Sequence, residues 1–96
     1  SHQALFRTES KYAESAYELL QAQLHHLHTH NGIMAIGPVP ALLEKRQGRY
    51  RFQLILQSQS RSLLHTAVHK TLPQLESHPL ASKVRWSLDI DPQEFY

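Results

Sequence analysis

Apolar and polar positions along this chain repeat with two different periods, and the switches between them order its elements. Ala4-Leu5-Phe6-Arg7 is a short apolar run that predicts a strand. From Ala13 the apolar residues recur at three- and four-residue steps, through Ala16, Tyr17, Leu20, Leu24 and Leu27. That spacing predicts an amphipathic helix with one buried stripe. Ser10 is its expected cap, Glu9 is favourable near its start, and Asn31-Gly32 is its expected stop. Ile33 to Gly37 reads as a second strand. Pro38 and Pro40 lack backbone donors, so pairing there belongs to an edge or a bend. After a loop through Gln47-Gly48, Tyr50, Phe52, Leu54 and Leu56 alternate with Arg49, Arg51, Gln53 and Gln57, with Ile55 the one apolar exception on the polar side. This is the clearest strand in the chain. Ser58-Gln59-Ser60 supplies the next cap. Leu63, Leu64, Ala67, Val68, Thr71 and Leu72 then mark a second helix, which Pro73 is expected to end or kink near residue 71. Residues 74–82 read as an irregular connection. Last, Val84, Trp86, Leu88 and Ile90 alternate with Arg85, Ser87, Asp89 and Asp91, and Asp91-Pro92 closes the strand.

The resulting order is βαββαβ. Its simplest closure is an α+β, ferredoxin-like (split βαβ) fold, a four-stranded sheet with two helices packed on one face. Right-handed crossovers are expected to put the first and last strands in the centre. The uncovered face then carries Arg49, Arg51, Gln53 and Arg85. A length of 96 residues makes residues 1–96 a single domain, with no room for a second core. The chain opens Ser1-His2-Gln3 without an initiator Met, as expected of a domain cut from a longer protein. There is no cysteine, which excludes a disulfide scaffold and a thiolate zinc site. No apolar run approaches the roughly 20 residues needed to span a bilayer.

The formal net charge of +2 is too mild to name a partner, so the placement of charge carries that argument. Residues 44–52 read EKRQGRYRF: Lys45, Arg46, Arg49 and Arg51 follow a single carboxylate, Glu44. Alternation spaces Arg49 and Arg51 about 7 Å apart on one strand face, close to the spacing of successive phosphates along one strand. Guanidinium forks suit phosphate oxygens. The plainer reading is that Tyr50 and Phe52 are core and the charges only blunt an exposed hairpin. His25-His26-Leu27-His28-Thr29-His30 brings imidazoles together across a helical turn, but no third ligand lies close by in sequence, and histidines at a helix end also serve the last carbonyls. Arg61, His65 and His69 share the polar face of the second helix. A cation at a helix start opposes the helix dipole, which marks Arg61 as a residue that could meet an anion; an ordinary solvated arginine is the bland alternative. Asp89 and Asp91 share a strand face at a chain end, and no nucleophile–base spacing accompanies them. The three glycines form no phosphate-binding loop.

Four stretches carry a resemblance. They are Gly37-Pro38-Val39-Pro40-Ala41, the run Gly48-Arg49-Tyr50-Arg51-Phe52-Gln53-Leu54-Ile55-Leu56, Ser60-Arg61, and the run Val84-Arg85-Trp86-Ser87-Leu88-Asp89-Ile90-Asp91-Pro92. In their order and spacing they resemble the C-terminal domain of the bacterial primosomal replication-restart helicases, the PriA family. The likeness is strong over residues 36–61 and 84–92 and weak in the first helix and over 73–82. It implies a parent that is an ATP-dependent 3′–5′ DNA helicase, cytoplasmic and nucleoid-associated, whose ATP, magnesium and zinc all lie outside this fragment. It implies a monomeric, non-catalytic module similar in plan to a small ribosomal-subunit protein. That module would contact forked or single-stranded DNA, other primosome proteins and the acidic C-terminal tail of single-stranded DNA-binding protein. Arg61 matches the family's Ser-Arg step, where an arginine helps hold the tail's terminal carboxylate. His65 stands where relatives carry glutamine. Arg49 and Arg51 match the family's Gly-Arg-aromatic-Arg step, and with Lys45, Arg46 and Arg85 they are assigned to DNA on charge placement. The rival readings are an RNA-binding domain of the same fold, a small phosphate-ester or acyl-phosphate hydrolase, and a brace for the helicase lobes. The hydrolase needs an anion-binding loop after the first strand, where Glu9 would repel phosphate.

Overall fold

The structure, a computed structural model, describes residues 1–27 and 30–91, apart from the side chains at 42–44 and 46. Its elements follow the expected order: β1 (His2–Ser10), α1 (Ala13–Leu27), β2 (Met34–Arg46), β3 (Arg49–Ser58), α2 (Arg61–Ser77) and β4 (Arg85–Ile90). All strand pairs are antiparallel and the sheet order is β2-β3-β1-β4. The fold is thus the ferredoxin-like βαββαβ plan, with one correction: β1 and β3 are central, while the last strand lies at an edge. Each crossover spans one intervening strand, so β3 lies between β1 and β2, and β1 lies between β3 and β4. A signal for this stands in the burial pattern. Ala4, Leu5 and Phe6 are buried without interruption, and so are Leu54 and Leu56 around half-buried Ile55, as central strands require. In β4 half-buried and exposed residues alternate and none is fully buried, which is the character of an edge.

Alternation divides the sheet into two faces. Ala4, Phe6, Leu54 and Leu56 face the helices and form one cluster with Leu19, Leu20 and Leu27 of α1 and Leu64, Ala67, Val68 and Leu75 of α2. Burying each large side chain contributes on the order of 1.5–3 kcal/mol. The stripe of α1 runs differently from the expected one. Leu19 and Gln23 are buried, whereas Tyr17 lies at the margin with its ring edge-on to Phe52, 5.7 Å between centroids. Gln23 Nε2 donates to Thr71 Oγ1 (2.8 Å), and that hydroxyl donates to the Ala67 carbonyl (2.8 Å). This chain ties the two helices through a polar bond within an apolar interface.

The helix ends differ in how closely they match expectation. Ser60 caps α2, its hydroxyl accepting from the Leu63 N–H at 3.1 Å. Ser10 instead belongs to β1 and accepts from the Tyr12 N–H, and α1 begins only at Ala13. Pro73 does not end α2, which runs on to Ser77. The missing bond is local, and the last turn is held by Leu75, which is buried in the core. β2 is longer than expected and continues past both prolines to Arg46, with register shifts between Ile36 and Val39 and between Pro40 and Lys45. Its edge position makes those irregularities tolerable. Gln47 and Gly48 have φ of 53° and 77°, so β2 and β3 are joined by a two-residue turn of the tight hairpin type, where the glycine takes the left-handed conformation at little cost. Pro92, and His28 within the histidine run, lie outside the described residues.

Candidate nucleic-acid interface

The face of the sheet without helices carries Leu5, Arg7 and Glu9 from β1, Arg49, Arg51, Gln53 and Ile55 from β3, and Arg85, Ser87 and Asp89 from β4. The register sets these residues in rows. Arg7 lies between Gln53 and Ser87, and Glu9 between Arg51 and Arg85. Glu9 was expected at a helix start; with β1 extending to Ser10 it becomes the middle of a charged row instead. Its carboxylate receives Arg51 Nε at 3.7 Å on one oxygen and Arg85 Nη1 at 3.3 Å on the other. Arg7 is ion-paired with Asp89.

These contacts correct the expected picture of an open face presenting Arg49, Arg51, Gln53 and Arg85 alike. Arg51 and Gln53 are each only 7% exposed, while the Arg85 side chain is 66% exposed. On a central strand, flanking side chains cover a residue even on a helix-free face. The Gln53 carboxamide oxygen is buried with no hydrogen-bond partner among the described residues. The polar–apolar alternation of the sequence shows which face a residue takes, but not how deeply neighbouring strands cover it.

The end of the β2–β3 hairpin is different. Lys45 is exposed, with Nζ 4.9 Å from the centroid of the Tyr50 ring. Arg49 is half-buried, and the backbone register sets it directly opposite Arg46. Two arginine positions thus share one register pair beside a tight turn. Both Tyr50 and Phe52 turn to the helix side, but only Phe52 packs against the core, so the plainer reading holds for Phe52, while Tyr50 stays half-buried under Lys45.

Arg61 opens α2 at the opposite end of β3. It is exposed, and no acidic residue lies in that first turn. Arg61 Nε donates to His65 Nε2 at 3.5 Å, and the His65 and His69 rings lie 6.4 Å apart. Nearby, the Asp91 side chain accepts from the Gln3 N–H at 3.0 Å and lies 3.7 Å from His2 Nδ1. That backbone bond, followed by the positive fields of His2 and Arg61, lowers the Asp91 pKa below the ordinary aspartate value. Asp89 and Asp91 are thus engaged in separate contacts, one with Arg7 and one with the start of β1.

Over residues 1–93 the sequence matches the family described as the primosomal protein N C-terminal domain. The chain belongs to that family. It is also 35% identical over 95 residues to a replication restart protein PriA of Haemophilus influenzae; the match covers 96% of this chain and 13% of that protein. The chain therefore spans about an eighth of the length of this relative. Among solved structures, the de novo designed protein Foldit4 superposes with a TM-score of 0.69 at 12% identity, covering 97% of this chain and 98% of the other. A dimeric ferredoxin-like protein from an uncultured marine organism gives a TM-score of 0.60 at 6% identity, covering 93% and 91%. At such identities the likeness is one of fold alone.

This primosomal C-terminal domain has no cysteine to supply a thiolate to zinc. Its glycines serve the hairpin turn, the approach to β2 and a bulge at Gly37, not a phosphate loop. Among the described residues no three histidine or carboxylate side chains converge on a metal position. No described helix is long and apolar enough to cross a membrane.

Proposed function

We propose that this domain is a DNA-contacting and partner-docking module of a replication-restart helicase. In this reading it holds phosphates without sequence preference through Lys45, Arg46, Arg49 and Arg85. Arg51 supports that surface from beneath, through Glu9. The observation that carries the reading is the hairpin end, where Arg46 and Arg49 oppose each other beside exposed Lys45. An anion at this end would find cationic donors on both strands of the hairpin. The kinship with a replication restart protein supports DNA as the source of that anion.

Phe6, Tyr50, Phe52 and Trp86 alternate onto the helix-covered face, which leaves the open face without a base-stacking platform among the described strands. Phosphate contact is then the main source of affinity, and single-stranded RNA read by stacking gains no support. Arg61 and His65 are assigned to the acidic tail of single-stranded DNA-binding protein, Arg61 pairing with its terminal carboxylate and His65 hydrogen-bonding beside it. A brace for the helicase lobes is the second reading. It is favoured by the half-covered row of Trp86, Leu88 and Ile90 on edge strand β4.

The test is the binding of forked DNA, single-stranded DNA and RNA of equal length across a salt series, for the wild-type chain and for Lys45→Ala/Arg49→Ala. The expected outcome is weak binding that falls steeply with salt. The variant should lose about 1.5 units of the log–log salt slope, at roughly 0.7–0.9 per phosphate contact. Inert wild type and variant alike would leave the brace.

A further inference from the structure

A hollow of about 180 Å³ is lined by Arg7, Glu9, Arg51, Arg85 and Ser87 of the helix-free face, together with Thr8, Ala41, Phe52 and Trp86. It has room for a tetrahedral anion with part of its hydration. Its walls are graded in depth. Arg51 is buried at the bottom, Arg7 is partly covered and Arg85 stands at the exposed rim, with exposed Ser87 beside it. Guanidinium forks arranged in this way, with a hydroxyl among them, are the donors that phosphate oxygens take.

Two carboxylates face these three cations. Asp89 holds Arg7, and Glu9 alone bridges Arg51 and Arg85. Glu9 has both of its oxygens directed at arginines that an incoming anion needs, so the built-in carboxylate and a phosphate compete for the same donors. We propose that this hollow is a phosphate-group pocket of Arg7, Arg51, Arg85 and Ser87, and that Glu9 acts as its internal competitor, holding the affinity down. The ligand chemistry is a phosphate group, either of a nucleic-acid backbone or free in solution. The backbone source rests on the proposed function above; the pocket itself does not.

Glu9→Gln keeps the side-chain shape and removes the one carboxylate charge that Arg51 and Arg85 share. Ser87→Asp sits on an exposed position and puts a carboxylate into the pocket without disturbing the core. The experiment follows backbone amide and arginine Nε–H resonances of the labelled chain during titration with inorganic phosphate and, separately, with a short single-stranded oligonucleotide. DNA affinity at low salt is measured beside it for wild type, Glu9→Gln and Ser87→Asp. The expected result is shifts at Arg7, Arg51, Arg85 and Ser87, DNA binding tightened about threefold to tenfold by Glu9→Gln, and a comparable weakening by Ser87→Asp. Phosphate shifts in the pocket without DNA binding would retain the pocket as a free-phosphate site and sink the DNA reading. DNA binding confined to Lys45 and Arg49, indifferent to both variants and with a silent pocket, overturns the pocket and leaves the DNA reading standing. A pocket silent to both ligands overturns the inference outright, and the fold of each variant is checked by its amide spectrum.

Discussion

Arg49 and Arg51 stand two apart on one strand, share a face, and do different work. Arg49 is half-buried beside the turn, whereas Arg51 is 7% exposed and its guanidinium meets Glu9. From the alternation of β3 the two look equivalent, because periodicity reports only the face. What separates them is distance from the hairpin end: Arg49 faces only β2, but Arg51 is opposite Glu9 of β1 with β4 beyond. The consequence is measurable. Arg51→Ala removes a buried stem and leaves Glu9 with Arg85 alone, which should cost about 1–3 kcal/mol. Arg49→Ala, at a half-buried position beside the turn with no β1 residue opposite it, should cost less, about 0.5 kcal/mol. Urea unfolding of the two variants checks this, and equal midpoints would remove Arg51 from the supporting role assigned to it. Glu9 teaches the same lesson from the other side. In sequence it reads as a residue favourable to a helix start, because β1 is visible there only as the apolar run from Ala4 to Arg7. The strand extends through Thr8, Glu9 and Ser10 because β3 and β4 pair with it on both sides, and tertiary pairing of that kind leaves no mark in local composition.

At the level of elements the type and order of all six are legible in the hydrophobic pattern, since each element must bury one face of its own period. Positions that depend on neighbours are less so. The central place of β1 and β3 could have been read from the run Ala4-Leu5-Phe6 and from Leu54-Ile55-Leu56, whereas β4 alternates strictly, as a strand with a partner on one side does. Pro73 is the clearest contest between local and tertiary effects. Inside a helix proline removes one backbone bond and crowds the preceding turn, at about 3 kcal/mol. Even so, α2 continues to Ser77, because Leu75 in the final turn is buried against the core and Leu72 packs beside it. Burying Leu75 alone contributes on the order of 1.5–3 kcal/mol, enough to offset much of the proline's cost. Pro73→Ala is therefore expected to raise stability, by about 1 kcal/mol once the greater freedom of the unfolded chain is counted. Thermal unfolding reads the shift. A lowered midpoint would mean that the helix uses the proline's fixed φ and that the packing argument for its last turn is incomplete.

Over the whole molecule the two proposed contact regions lie at opposite ends of one strand. Lys45 and Arg49 flank the hairpin turn, while Arg61 follows three residues after Ser58, where β3 stops. Ten residues of extended chain span about 30 Å, and the longest dimension of the domain is 37 Å. That separation exceeds the Debye length of about 10 Å at 0.1 M salt, so charge at one end is screened from the other. The rigid path between them is β3 itself, paired on both sides, and nothing along it offers two alternative arrangements through which binding could be transmitted. Independence follows. A saturating concentration of an acidic tail peptide should change the DNA dissociation constant by less than about twofold, and Arg61→Ala should abolish peptide binding while leaving DNA binding intact. Lys45→Ala/Arg49→Ala should weaken DNA binding and leave peptide binding intact. Fluorescence anisotropy with each ligand labelled in turn measures both directions, which must agree because coupling between two binding sites is reciprocal. A coupling of fivefold or more would place DNA and peptide on overlapping surfaces. The path of DNA would then have to run along the open face past Arg7 and Asp89 to the α2 end, instead of ending at the basic hairpin.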